Sequence, residues 1–62
     1  MCLSTVFALR PEGKAQIAKN VASVKLQDGK LILTDIMGVP TVVDADIERI
    51  DLMDNFIWVR ER

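Results

Sequence analysis

The stretch VASVKLQDGKLILTD, residues 21–35, decides the fold. In its first half Ala22, Val24 and Leu26 face one way and Ser23, Lys25 and Gln27 the other, the period of a strand. Asp28-Gly29 then supplies the strongest hairpin signal in the chain. Both central positions of the favoured two-residue turn need positive φ, which glycine accepts freely and aspartate better than most residues. KLILTD returns as the second strand, with Leu31 and Leu33 expected to face a core.

Working outward, CLSTVFAL at residues 2–9 predicts a strand that is apolar on both faces. Leu3, Phe7 and Leu9 share one face and Cys2, Val6 and Ala8 the other, with Phe7 expected in the core. Such a strand needs cover on both sides, one from the core and the other from a partner chain. Arg10-Pro11-Glu12-Gly13 reads as a turn. The segment after it, from Lys14, reads as a short helix because Ile17 and Val21 lie four apart.

Downstream, Ile36-Met37-Gly38 breaks the chain, and Pro40 places Thr41-Val42-Val43 at a sheet edge. Asp44-Ala45-Asp46 is expected as a loop or a single helical turn. IERIDLM and FIWVRE pair across Asp54-Asn55, with Ile57 and Val59 on one face and Phe56 and Trp58 on the other. Five or six short strands with regular turn signals predict an all-β fold, a single domain over residues 1–62. A meander of this length curls most easily into a partly open, SH3-like or OB-like barrel.

A 62-residue chain hides only about 60% of the surface its unfolded form exposes. Small folds offset this with disulfides, a structural metal or self-association. One cysteine and no histidine leave self-association, so a homodimer is expected. Half of the residues are apolar and the net charge is −1, which describes a folded domain. No stretch approaches the ~20 apolar residues of a membrane span. A lone thiol suits a reducing compartment, and the cytoplasm is the expected location.

That cysteine stands at the second position. With Met1 removed, amine and thiolate of Cys2 close a five-membered ring around a metal, and the backbone nitrogen of Leu3 can close another. With Met1 retained, its amine, the Cys2 amide nitrogen and the Cys2 sulfur can surround one ion. The amide must then lose its proton, which makes binding more dependent on pH. Square-planar sites of nitrogen and sulfur favour Ni(II) or Cu(II). One such residue supplies too few donors, but two across a dimer axis supply two nitrogens and two sulfurs. The plainer alternative is a small buried hydrophobe, which suits a chain end poorly.

The start MCLSTV, the middle LILTDIMGVP and the later IERIDL with a short final strand resemble the CooT family over nearly the whole chain. These are small bacterial and archaeal nickel-binding proteins, many first labelled predicted RNA-binding proteins. The resemblance implies a dimer of small SH3-like β-barrels that binds Ni(II) through Cys2. It also implies a metallochaperone that delivers nickel to an enzyme such as carbon monoxide dehydrogenase. A histidine-rich tail, common in nickel stores, is missing, which favours delivery over storage.

RNA binding is the rival. It would use a basic groove and aromatic platforms, but eight basic residues stand against nine acidic ones. Lys14, Lys19, Lys25 and Lys30 could gather on one side, with Phe56 and Trp58 stacking on bases or packing against a partner chain. Lys19, Lys25 and Arg49 could instead meet an acidic client. Catalysis is disfavoured: the sequence has no histidine, no tyrosine and no Gly-rich phosphate loop. Asp44, Asp46, Glu48, Asp51 and Asp54 do not follow the spacing of a calcium loop and read as a solvated face.

Overall fold

The computed structural model describes residues 3–62, so the expectations placed on Met1 and Cys2 lie outside the described residues. Six strands form one sheet: β1 Ser4–Arg10, β2 Gly13–Gln27, β3 Lys30–Asp35, β4 Pro40–Val43, β5 Ala45–Asp51 and β6 Phe56–Glu61. Their order is β4-β3-β2-β1-β6-β5, and the sheet curls into a half-barrel. Neighbours pair antiparallel except β1 and β6, which run parallel and tie the first strand to the last. The all-β expectation holds.

The decisive hairpin is as expected. Asp28 has φ 53° and Gly29 φ 75°, both in the left-handed region that the turn needs. Leu31 and Leu33 are buried. Pro40 opens β4 at the outer edge, where the missing N–H costs no ladder bond. The β5–β6 hairpin closes through residues 52–55, with Ile57 and Val59 buried and Phe56 and Trp58 on the other face.

Three local expectations are corrected. The segment after Lys14 is strand, not helix: β2 runs unbroken for 15 residues. It pairs first with β1 and then with β3, and register shifts on both sides of Val21 bend it between them. Asn20 has φ 54° at that bend, a conformation asparagine tolerates better than most residues. The bulge also breaks the alternation expected after it. Val21 is buried and Val24 packs against the core, while Ala22 and Leu26 are exposed. Asp44-Ala45-Asp46 is neither loop nor helical turn. Asp44 alone links β4 to β5, and Ala45 is buried as the first residue of β5.

Phe7 is not in the core. Val6 and Ala8 are fully buried, so Phe7 lies half-buried on the outer face. Among the described residues the buried core is Val6, Ala8, Val21, Leu31, Leu33, Ala45, Ile57 and Val59.

Candidate metal centre

The candidate centre is set by where β1 begins. Cys2 stands two residues before Ser4 in the sequence and lies outside the described residues. Leu3 is half-buried and precedes the first ladder pair, Ser4 with Val21. On one side of β1, Val21 pairs onward with Asp35 of β3. On the other, Thr5 pairs with Phe56, and Phe56 with Asp51 of β5. Asp35 and Asp51 therefore each lie two strands from the start of β1, about 10 Å away at ordinary strand spacing.

Both aspartates organise turns. The Asp35 carboxylate accepts the N–H groups of Met37 and Val39, both at 2.9 Å. Its carbonyl accepts from Gly38 at 2.9 Å, and Gly38 has φ 85°. The Asp51 carboxylate accepts from Met53 and Asp54, both at 3.1 Å, and receives Arg49 as well. The N–H of Asp54, more than any other contact, holds the Asp51 carboxyl below the usual carboxylate range. Each turn is fastened to the neighbouring strand. Ile36 donates to the Asn20 carbonyl at 3.0 Å, and Thr5 donates to the Asn55 carbonyl at 2.9 Å.

With their carboxylates folded back, the turns present apolar tips. Met37 is 82% exposed and Met53 91%, with Ile36 and Leu52 exposed beside them. The sequence predicts a break at the first of these turns and a hairpin across Asp54-Asn55 at the second, but it assigns Leu52 and Met53 to the strand, which ends at Asp51. The signal was present as a repeated triplet, Asp35-Ile36-Met37 and Asp51-Leu52-Met53.

The acidic residues form no second centre. Among the described residues there is no group of three or more His, Cys, Asp or Glu placed to hold a metal ion. Arg62 binds Asp44 and Asp46, Arg60 binds Glu48 at 3.1 Å, and Asp51 serves its own turn. The solvated face expected from their spacing is thus also an ion-paired one.

The aromatic residues cluster on the outer face of β1 and β6. Phe7 stacks on Trp58 with centroids 4.9 Å apart, and Phe56 meets Phe7 edge-on at 5.3 Å. The Lys14 ammonium lies over Phe7 and Trp58, 4.8 and 5.1 Å from the two centroids, within cation–π range. Lys25 sits on the other half of the bent β2, beyond the bulge, and Lys30 opens β3 beside it. No helix among the described residues is long and apolar enough to cross a membrane.

Comparisons with known proteins add to this geometry. The sequence model of one family, described as CO dehydrogenase accessory protein CooT, matches residues 1–60. No curated protein matches. Among solved structures, the crystal structure of a protein assigned as CooT from Carboxydothermus hydrogenoformans superposes with a TM-score of 0.90. It is 23% identical, and the match covers 98% of each chain.

Proposed function

The chain belongs to the CooT family of CO dehydrogenase accessory proteins, and from that premise we propose that it carries Ni(II) as cargo. The ion is held between the Cys2 residues of two chains and passed to a CO dehydrogenase under assembly in the cytoplasm. The observation that carries this reading is the family match, which begins at residue 1 and so includes the Met1-Cys2 start. Cys2 is the only thiol in a chain without histidine.

The donor chemistry fits the cargo. Thiolate is the softest protein ligand available, and with nitrogen from Cys2, Leu3 or Met1 it suits a late divalent ion. Two chains are needed for four donors, so the carrier acts as a homodimer. A site of so few protein ligands at a chain end suits release to a client better than storage. The role is binding and transfer rather than catalysis.

The rival RNA reading finds less support. Phe7 and Trp58 already cover one another's faces and are capped by Lys14, and the net charge is −1. A phosphate-binding surface depends on a basic excess.

A Ni(II) titration of the full chain beside Cys2→Ser tests the proposal. Sulfur-to-nickel charge-transfer bands should saturate at one ion per two chains and be absent from the variant. Equal nickel binding by both proteins, or by neither, would overturn it. Cu(II) should displace Ni(II) in the same cuvette, because copper stands above nickel in the affinity order.

A further inference from the structure

Every ion pair among the described residues uses an arginine: Arg10 takes Glu61, Arg49 takes Asp51, Arg60 takes Glu48, and Arg62 takes Asp44 and Asp46. The lysines are left out of this matching. Lys14 lies over Phe7 and Trp58, while Lys19, Lys25 and Lys30 are exposed and make no ion pair among the described residues. Register puts two of them on one face. Leu31 and Leu33 are buried, so Lys30, Ile32 and Thr34 face outward from β3. Lys25 pairs with Ile32, and Ile32 with Val42 of β4; Gln27 pairs with Lys30, and Ser23 with Thr34. The outer face of β2, β3 and β4 thus has an apolar centre, Ile32 and Val42, beside Lys25 and Lys30, with no carboxylate in its paired rows. Val42 is 60% exposed, and Asp28 stands apart in the turn at the end of the face.

We propose that this face docks an acidic surface of a partner protein, whose carboxylates meet Lys25 and Lys30 while an apolar side chain covers Ile32 and Val42. Charge complementarity chooses the occupant. Lysines left unpaired within the chain keep their charge for a partner's carboxylates, and such pairs around an apolar contact fix its register and speed its formation. Single-stranded nucleic acid suits the face less. Its bases stack on aromatic platforms, and Phe7, Phe56 and Trp58 all cluster on the outer face of β1 and β6. Arg49, the other cation considered for an acidic client, is held by Asp51 on the far half of the sheet. The partner's identity rests on the carrier reading of the preceding section, under which it is the CO dehydrogenase that receives nickel. Docking then uses side chains that the metal site does not.

Biosensor titration of immobilised, nickel-free CO dehydrogenase with the full chain tests the assignment. The variants are Lys25→Glu/Lys30→Glu and Val42→Glu. The control is Lys14→Glu/Lys19→Glu, which makes the same change of charge on the other half of β2. All these side chains are exposed, so each variant should keep the far-UV circular dichroism of the native sheet. Native binding should weaken as salt rises. Lys25→Glu/Lys30→Glu should bind more than about tenfold more weakly, because like charges then face each other across the contact. Val42→Glu should also bind more weakly, and the control nearly as tightly as the native chain. Equal weakening by the two lysine variants would overturn the inference, since net charge rather than a face would then govern binding. A native chain that does not bind the enzyme would overturn it too. So would retention of a polyuridine oligonucleotide in place of the enzyme, lost in Lys25→Glu/Lys30→Glu, which would give the face to nucleic acid. If docking failed, one nickel per two native chains would leave the carrier reading intact. Nickel bound equally by Cys2→Ser would instead sink the carrier reading, while docking that needs Lys25 and Lys30 stood.

Discussion

Where β5 begins, Arg62 donates to Asp44, Asp46 and the Gly29 carbonyl, and its N–H donates to the Asp44 carbonyl. Where β5 ends, Asp51 folds onto its own turn and leaves Leu52 and Met53 in solvent. The first region is a seam. It fastens the last residue of the chain to the tip of the β2–β3 hairpin and to the β4–β5 link, beside a cleft of about 270 Å³ lined partly by Leu31, Ala45 and Ile47. The second region is fastened mainly within itself, with the Thr5 N–H donating to the Asn55 carbonyl as its tie to β1. Polar groups at the seam are spent on partners inside the chain, whereas the turns satisfy their polar groups locally and hold apolar ones outward.

Leu33→Ala should have the largest effect and tests whether the two regions belong to one cooperative unit. Leu33 is among the largest fully buried side chains, and its truncation should cost about 2–5 kcal/mol. That is a large share of the stability a small domain holds. Urea unfolding followed by circular dichroism and by Trp58 fluorescence should give coincident curves at a much lower midpoint. Separated curves would mean that the seam and the turns unfold independently.

Asp35→Ala should come next, because it sharpens the contrast between a turn held from within and a seam held by charge. It leaves the Met37 and Val39 N–H groups without their acceptor, a loss of about 1–2 kcal/mol by analogy with helix caps. Asp35→Asn keeps a carbonyl oxygen in the same place and should recover most of the urea midpoint. If Asn behaved like Ala, charge rather than turn geometry would hold the tip.

The sequence made the seam's parts legible and the placement of the turns not. Asp28-Gly29, Pro40 and the Ile57/Val59 alternation each rest on local rules about φ, missing N–H groups or strand period, and the structure follows them. Phe7 could not be assigned in this way, because β1 is apolar on both faces and only the curl of the sheet chooses Val6 and Ala8 for the core. The helix read from Ile17 and Val21 failed for a related reason. The bulge at Asn20 changes the phase of a strand, and a phase change in period two imitates a fragment of period 3.6. Cys2 was named by its chemistry. The turn after β5 comes to lie beside the start of β1 only through the parallel pairing of β1 with β6, a long-range contact that no local pattern encodes.

Acid should have the smallest effect and can still separate the two kinds of fastening. Hydrogen bonds from Arg62 hold the Asp46 carboxyl below its ordinary value, and Arg10 does the same for Glu61. Asp51 is held down first by the Asp54 N–H. A carboxyl with a lowered pKa in the folded state contributes stability above its unfolded value and loses it as pH falls through the folded one. The midpoint temperature should therefore be level near neutrality and decline only below the usual carboxylate range, near pH 4 and under. Arg62→Ala should remove the part of this decline that belongs to Asp46 and leave the part that belongs to Asp51. At about 1 M salt, where screening reaches ~3 Å, the native chain should approach the Arg62→Ala profile, because an exposed ion pair is screened and a backbone hydrogen bond is not. A decline abolished entirely by Arg62→Ala would mean that the turn contributes nothing in acid and that the seam alone holds the fold there.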